Sequence, residues 1–297
     1  MLRLGAHESI VGGLHCALER GAAAGCDALQ LWTKNSRQWR ATPLDRETVT
    51  QFRRTRAAHS ISPIVAHASY LINIASSDAE LHRRSVRSLI EEVQRCAILE
   101  IPYLVLHPGA HTGAGMAAGL EQVVEGLEQL KGELSDSRVK VLLETTAGQG
   151  TSLGADFESL AWILEAVHAD DRFGVCLDTC HAFAAGYELR TAAGYAETMS
   201  SFDQNIGLER LTMVHLNDSK HPIGSHKDRH EHIGEGHLGI QGFAHLLTDS
   251  RLDSLPGILE TPKSKDLHED RENLARLRSI VADETASEVG TSTRPSD

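Results

Sequence analysis

Leu104-Val105-Leu106-His107 is a short apolar run that stops on an imidazole. The same pattern, aliphatic residues ending on a His, Asp or Glu, recurs as Ile64–His67, Val141–Glu144, Val175–Asp178, Met213–His215 and Gly257–Glu260. Successive end points are spaced by 40, 37, 34, 37 and 45 residues. A strand, a loop, a helix and a return loop need roughly 30 or more residues, so each interval holds one βα unit. Two earlier runs, Leu2–His7 and Ala28–Trp32, bring the strands to the eight that close a (β/α)8 TIM barrel. All strand ends of such a barrel share one mouth. A doubly wound open sheet is the second choice, but it would not place the strand ends around one ring.

The segments between the strands carry helical periodicity. Leu81, Val86, Leu89, Ile90, Val93 and Ala97 recur at helix spacing within 77–97, which Ser77 and Glu80 open as a capping box. Leu120, Val123, Val124, Leu127 and Leu130 repeat the pattern, as do Leu160, Ile163, Leu164 and Val167. This alternation predicts a parallel sheet in a single domain over residues 1–283. The remaining 284–297 end in small polar residues without pattern and are expected to be disordered.

Composition narrows the function. The formal charge of −12 gives no global basic surface for nucleic acid, although it says little about one face. Five cysteines without a CxxC pair, and no leader-like segment, fit reduced thiols in a cytosol. Cys180 reads as a core-filling thiol. No apolar stretch approaches the ~20 residues of a membrane span. Seventeen histidines are many for this length; His15, His59, His82, His245 and His268 read as plain surface residues.

Six ligand-type side chains gathered at one mouth would be costly to bury unless a cation offset them. Mixed imidazole and carboxylate suits Zn²⁺, Mn²⁺ or Fe²⁺ better than Mg²⁺ or Ca²⁺. Six ligands exceed one catalytic zinc, which takes three protein ligands, so two ions with a bridging carboxylate are expected. His181, three residues after Asp178, and the pair Asp228 and His230 could form a third site. The same loop also offers His221, His226 and His232, and spacing does not choose among them. Clustered divalent ions suit hydrolysis of a phosphate ester. The main alternative is a two-metal sugar isomerase or epimerase, which needs neither a third metal nor a nucleic-acid-facing loop. A non-catalytic DNA-damage binder with structural metals is the third reading.

The stretches GAHESIVGGL (5–14), LWTKNSRQWR (31–40), HASYLIN (67–73), HPGAH (107–111), LLETTAGQG (142–150), GVCLDTCHAFAAGY (174–187), MVHLNDSK (213–220), DRHEHIGEGHLG (228–239) and ILETP (258–262) resemble endonuclease IV. This is the zinc-dependent family of apurinic/apyrimidinic (AP) endonucleases of base-excision repair, within the xylose-isomerase-like superfamily. The resemblance implies three zinc ions, with Mn²⁺ able to substitute. It assigns His67, His107 and Glu144 to the first ion. The second takes Glu144 as a bridge with Asp178, His215 and Glu260, and the third takes His181, Asp228 and His230. It also implies incision of duplex DNA on the 5′ side of an abasic site, trimming of blocked 3′ ends, a monomer, and a bacterial cytoplasmic setting. Glu144 or Glu260 would orient or deprotonate the attacking water.

The same resemblance gives roles to the loops. Arg37, Tyr70 and Leu71 correspond to residues that wedge into the duplex and fill the vacated stack, while Lys34, Asn35 and Gln38 would touch the backbone. Trp39 reads as a loop anchor. One departure stands at Ala68, where some relatives carry Asp; a hydrogen bond to the first ligand must then come from elsewhere or be missing.

Overall fold

The barrel closes on itself through its first and last large strands. A computed structural model describes residues 1–133 and 137–291, with only the backbone of Glu133 and of 283–291. In chain order the strands are β1 (Arg3–Glu8), β2 (Ala28–Leu31), β3 (Ile64–His67), β4 (Tyr103–Leu106), β5 (Lys140–Glu144), β6 (Phe173–Asp178), β7 (Leu211–His215), β8 (Asp218–Ser219), β9 (His230–Glu231) and β10 (Pro256–Leu259). Eight of them form a closed parallel ring in the order β1-β10-β7-β6-β5-β4-β3-β2. The ring is sealed where Arg3–Ala6 pair with Pro256–Leu259. β8 and β9 form a separate antiparallel hairpin within the long loop after β7.

The helices α1 (Leu14–Ala24), α2 (Arg46–Ala58), α3 (Ala79–Leu99), α4 (Met116–Glu133), α5 (Phe157–Ala166), α6 (Thr179–Ala185), α7 (Ala192–Asn205), α8 (Gly239–Thr248) and α9 (His268–Thr291) surround it. Their apolar stripes pack on the outer faces of the strands; Leu89, Val93, Val123, Leu127, Leu160 and Ile163 belong to that shell. α3 is capped by Asp78, whose carboxylate accepts the N–H groups of Glu80 and Leu81, rather than by the expected Ser77. Asp78 at the N-cap reaches two orphan donors, which Ser77 one residue earlier does not. The domain boundary expected at residue 283 falls inside α9, which continues to Thr291, while 292–297 lie outside the described residues. No described helix is long and apolar enough to cross a membrane.

Candidate metal centre

A second, smaller core fills the barrel and explains the site. Ala28, Val65, Val105, Leu142, Cys176, Met213 and Ile258 form one buried cluster inside the ring. Each stands two positions before Gln30, His67, His107, Glu144, Asp178, His215 and Glu260 respectively. Strand side chains alternate faces with period two, so every one of these polar groups points inward, directly above an apolar plug. Gly5 has the same relation to His7. A Cβ there would lie 1.9 Å from the carbonyl oxygen of Ala28, so only glycine fits that level of the ring.

The ligand atoms fall into overlapping groups. His67, His107 and Glu144 form one; Glu144, Asp178, His215 and Glu260 form the next; His181, His230 and Asp178 form a third, all atoms within a group lying within 4.8 Å of one another. Asp228 joins the third group, with Oδ1 3.2 Å from His181 Nε2 and 3.4 Å from His230 Nε2. Glu144 is fully buried and faces two groups at once. Its Oε2 lies 3.1 Å from His67 Nε2 and 3.0 Å from His107 Nε2, and its Oε1 lies 2.9 Å from His215 Nδ1. His215 Nδ1 is also 3.5 Å from Glu260 Oε2 and 3.7 Å from Asp178 Oδ2. Tetrahedral bonds of the length zinc makes to nitrogen and oxygen imply donor separations of ~3.3 Å. The donors match that edge, so the residues fit a set of divalent ions.

The imidazoles are already turned for the task. A ring nitrogen beside a carbonyl oxygen must be the donor, and that fixes the opposite nitrogen as the one with a free lone pair. His67 Nδ1 donates to Ala68 O at 2.7 Å, His181 Nδ1 to Thr145 O at 2.8 Å, and His230 Nδ1 to Glu260 O at 3.1 Å. His215 is reversed: Nε2 donates to Gln30 Oε1 at 2.9 Å and Nδ1 faces the carboxylates. Ala68 thus supplies from its backbone the bond that its side chain lacks. The Nε2 atoms of His181 and His230 are buried without a well-aligned hydrogen bond, as expected of atoms reserved for a cation.

Polar side chains hold the carboxylates. Asp178 caps α6, accepting the His181 N–H at 2.7 Å through Oδ1, while Asn217 donates to its Oδ2 at 2.7 Å. Asn217 Oδ1 in turn accepts the backbone N–H of Glu260. Burial by itself would raise the Glu144 and Glu260 carboxyls, but the neighbouring histidines outweigh it and hold both well below the usual range. Burial also works to raise Asp228, yet His181 and His230 together hold it at about 2. Burial pushes the Cys176 and Cys180 thiols up to about 12, so they stay protonated, and Cys180 packs as the core residue its context suggests.

The loop ligands depend on a backbone device. Asp218 is buried in β8 and accepts the N–H groups of Gly234, Gly236, Leu238 and Gly239, drawing 234–239 against the hairpin that presents His230. A Cβ on Gly236 would fall 2.4 Å from the Asp218 Oδ1. His226 turns away to Ala147 O and His232 contacts Asn273, so neither joins the cluster.

Around the mouth, Tyr70 is 60% exposed and packs by its edge on Trp32 and near His67. A cleft of about 230 Å³ lies between it and His107, floored by Asn73 and Ala110. Leu71 is half-buried beside it; Asn35, Arg37 and Gln38 lie on the loop after β2, all three exposed. Lys34 departs from expectation. It is 5% exposed, and its ammonium donates to Ser88 Oγ at 2.7 Å and lies 3.4 Å from Glu92, so it anchors the loop from below instead of facing a phosphate. His82 is also not a surface residue: it is buried, with Nδ1 donating to Ile74 O. Two site residues lie outside the assigned ligand set, His7 at the end of the first apolar run and Gln30 within the second. His7 and Gln30 lie one position inside the strand ends. Gln30 Nε2 donates to Glu260 Oε1 at 2.6 Å and lies 2.8 Å from His7 Nδ1. Burial pushes His7 down to about 4, which keeps it neutral. Their inward parity is the signal that could have found them.

Residues 18–280 match the family described as a xylose isomerase-like TIM barrel. The "Probable endonuclease 4" of Chloroflexus aurantiacus is 48% identical over 281 residues, 95% of this chain and 99% of that one. The crystal structure of endonuclease IV from Thermus thermophilus superposes with a TM-score of 0.84 at 38% identity, covering 95% of this chain and 99% of its own. A D-tagatose 3-epimerase-like protein has a TM-score of 0.70 at 22% identity, covers 95% of this chain and 99% of its own, and shares the fold alone. With the relatives matched along their whole length, the chain belongs to the endonuclease IV family.

Proposed function

We propose that this enzyme is a zinc-dependent AP endonuclease that hydrolyses the phosphodiester on the 5′ side of an abasic site in duplex DNA, leaving a 3′-hydroxyl and a 5′-deoxyribose phosphate, and that also trims blocked 3′ ends. The observation that carries the reading is the set of three overlapping donor groups joined by Glu144 and Asp178. His67, His107 and Glu144 would hold the first ion, Glu144, Asp178, His215 and Glu260 the second, and His181, Asp228 and His230 the third. Four carboxylates against three divalent charges leave the centre net positive, which suits a phosphodiester rather than a neutral sugar. When bound, the ions would lower the pKa of a water and offset charge on phosphorus oxygens.

The protein's own groups divide the remaining work. Glu144 has both oxygens engaged and no exposure, so it would serve the first and second ions together. Glu260 is 13% exposed and oriented by Gln30, so it would be the carboxylate that orients the attacking water at the mouth. Neutral His7, packed on Trp32, lies 3.3 Å from that carboxylate. An abasic sugar has lost its stacking and pairing, so extruding it costs little. Tyr70, Leu71 and Arg37 would fill the gap. The proposed setting is the bacterial cytoplasm, with the protein as a monomer.

Elemental analysis of purified protein, run beside incision of a duplex with one abasic analogue, tests the reading. About three zinc ions per chain and a single nick 5′ to the lesion are expected. Turnover of a free ketose with the abasic duplex left uncut would favour the epimerase alternative. Tight lesion binding without scission in metal-replete protein would favour the damage binder.

A further inference from the structure

Outside the cation centre, four arginines share one cleft. Arg83, Arg84 and Arg87 lie on the first turns of α3, and Arg40 meets them from the loop after β2. Together they line a groove of about 670 Å³ with Trp39, Ala41, Ser88 and two carboxylates, Glu80 and Glu91. A helix that follows a barrel strand begins on the face where the strand ended, so this groove lies on the ligand-bearing side. It is also continuous with the Asn35–Gln38 segment. Lys34 fastens that loop to Ser88 and Glu92 of α3, Arg95 donates to the carbonyls of Thr33 and Thr42, and the Arg84 guanidinium lies 4.3 Å above the Trp39 ring.

The charge here is unspent. Among the described residues none of the four arginines forms an ion pair, although Glu80 and Glu91 sit at helical spacing that would allow it. Glu91 instead approaches Lys34 at 3.9 Å. In a chain of net charge −12, a groove with four arginines against two glutamates beside the substrate loop is a local net-basic exception, complementary to an anionic occupant. The Arg84 guanidinium covers one face of the indole. Arg83 and Arg87 are one turn apart, ~6 Å along the helix, close to the rise of two phosphates of one strand along the duplex axis at ~3.4 Å each.

We propose that this groove binds the phosphate backbone of the duplex arm flanking the lesion, so that the enzyme grips DNA well away from the nucleotide it cuts. The proposal rests on the functional reading above and extends its contact surface to α3. Such contacts add affinity and on-rate without sequence preference.

The test uses the metal-loaded enzyme and Arg83→Glu/Arg87→Glu, neither residue touching the cation ligands. Two abasic duplexes are compared, with arms of about 4 and about 15 base pairs, ~14 and ~50 Å long at ~3.4 Å per step. Subsaturating incision of the long-arm duplex should fall about tenfold, with the slope against log salt shallower by about two, while saturated turnover and the short-arm duplex stay unchanged. Equal loss on both duplexes, or no loss on either, overturns the assignment; no loss is also what an acidic protein partner at this groove would give. Arg83→Gln/Arg87→Gln, with zinc content measured, separates a charge effect from a folding defect. The charge-neutral pair should show the same arm-length dependence at smaller size. Equilibrium binding of undamaged long duplex by the same variants reads the groove without incision. A wild-type protein that binds DNA through these arginines yet cuts nothing would sink the functional reading and leave the surface standing. Incision of abasic DNA without arm-length dependence would do the reverse.

Discussion

Glu144, at the end of a strand, and Asp228, in a loop, approach His181 from opposite sides and by different means. Glu144 Oε1 lies 3.4 Å from one ring nitrogen and Asp228 Oδ1 3.2 Å from the other. Glu144 is placed by the barrel itself: its parity, its pairing with Cys176 across β5 and β6, and Leu142 beneath it leave no other direction. The Asp228 side chain is 44% exposed and depends on the hairpin and on Asp218 gathering the loop. Ligands held by the strands come as a set with the fold. Ligands held by the loop depend on a few hydrogen bonds for their order, and such elements open at lower cost.

The strongest test of this contrast removes the bridge. Glu144→Gln is expected to strip more than one cation and to cut incision by on the order of a thousandfold or more, because two charge-stabilising groups fail together. Glu260→Gln should cost a similar factor in turnover while leaving the first cation in place, as elemental analysis of both variants would reveal. Equal metal loss in the two variants would end the division of labour between the carboxylates. Next in size is Asp228→Asn, for which loss of the third cation alone and about a hundredfold slower single-turnover incision are expected. If that variant loses all its metal, the loop is no independent module. Tyr70→Ala should lower preference for abasic over intact duplex by about tenfold, the scale of one aromatic stacking contact, with the metals retained. A variant that still selects the lesion normally would remove Tyr70 from the wedge.

The smallest effect concerns pH in the chelator-stripped protein. Burial lowers His181 and His215, but the neighbouring carboxylates outweigh it and raise both well above 6.5. Their contribution to stability is therefore complete below pH 6.5 and drains away as pH rises through the raised values. The contribution of Asp228, depressed from 3.8 to about 2, is present above 3.8 and lost as pH falls toward 2. Stripped protein should melt a few degrees lower at about pH 9 than at about pH 6. An unchanged midpoint would show that these histidines are not paired with carboxylates in the stripped chain.

Legibility in the sequence follows the same divide. The eight strands, and the six ligands that end or immediately follow them, are readable because alternation converts position directly into direction. Resemblance, not spacing, selects Asp228 and His230 from a loop rich in histidine. What makes that choice physically is the β8–β9 pairing and the Asp218 anchor, both of long reach in sequence. His7 ends the first apolar run and Gln30 is no usual ligand type; neither is assigned to the site from the sequence, although their parity matches Gly5 and Ala28 beneath them. Lys34 shows the opposite failure. A lysine in a polar loop reads as exposed, and only packing against Ser88 and Glu92 reveals that it faces inward.

Closure of the ring by β1 and β10 has a consequence for synthesis. The first donor group is complete once residue 144 has left the ribosome, but Glu260 and the partner of the first strand lie 116 residues later. At 5–20 residues per second that is a delay of roughly 6–23 s. Through that interval the N-terminal strand shows an unpaired edge, and the growing barrel must be shielded from pairing with the wrong neighbour.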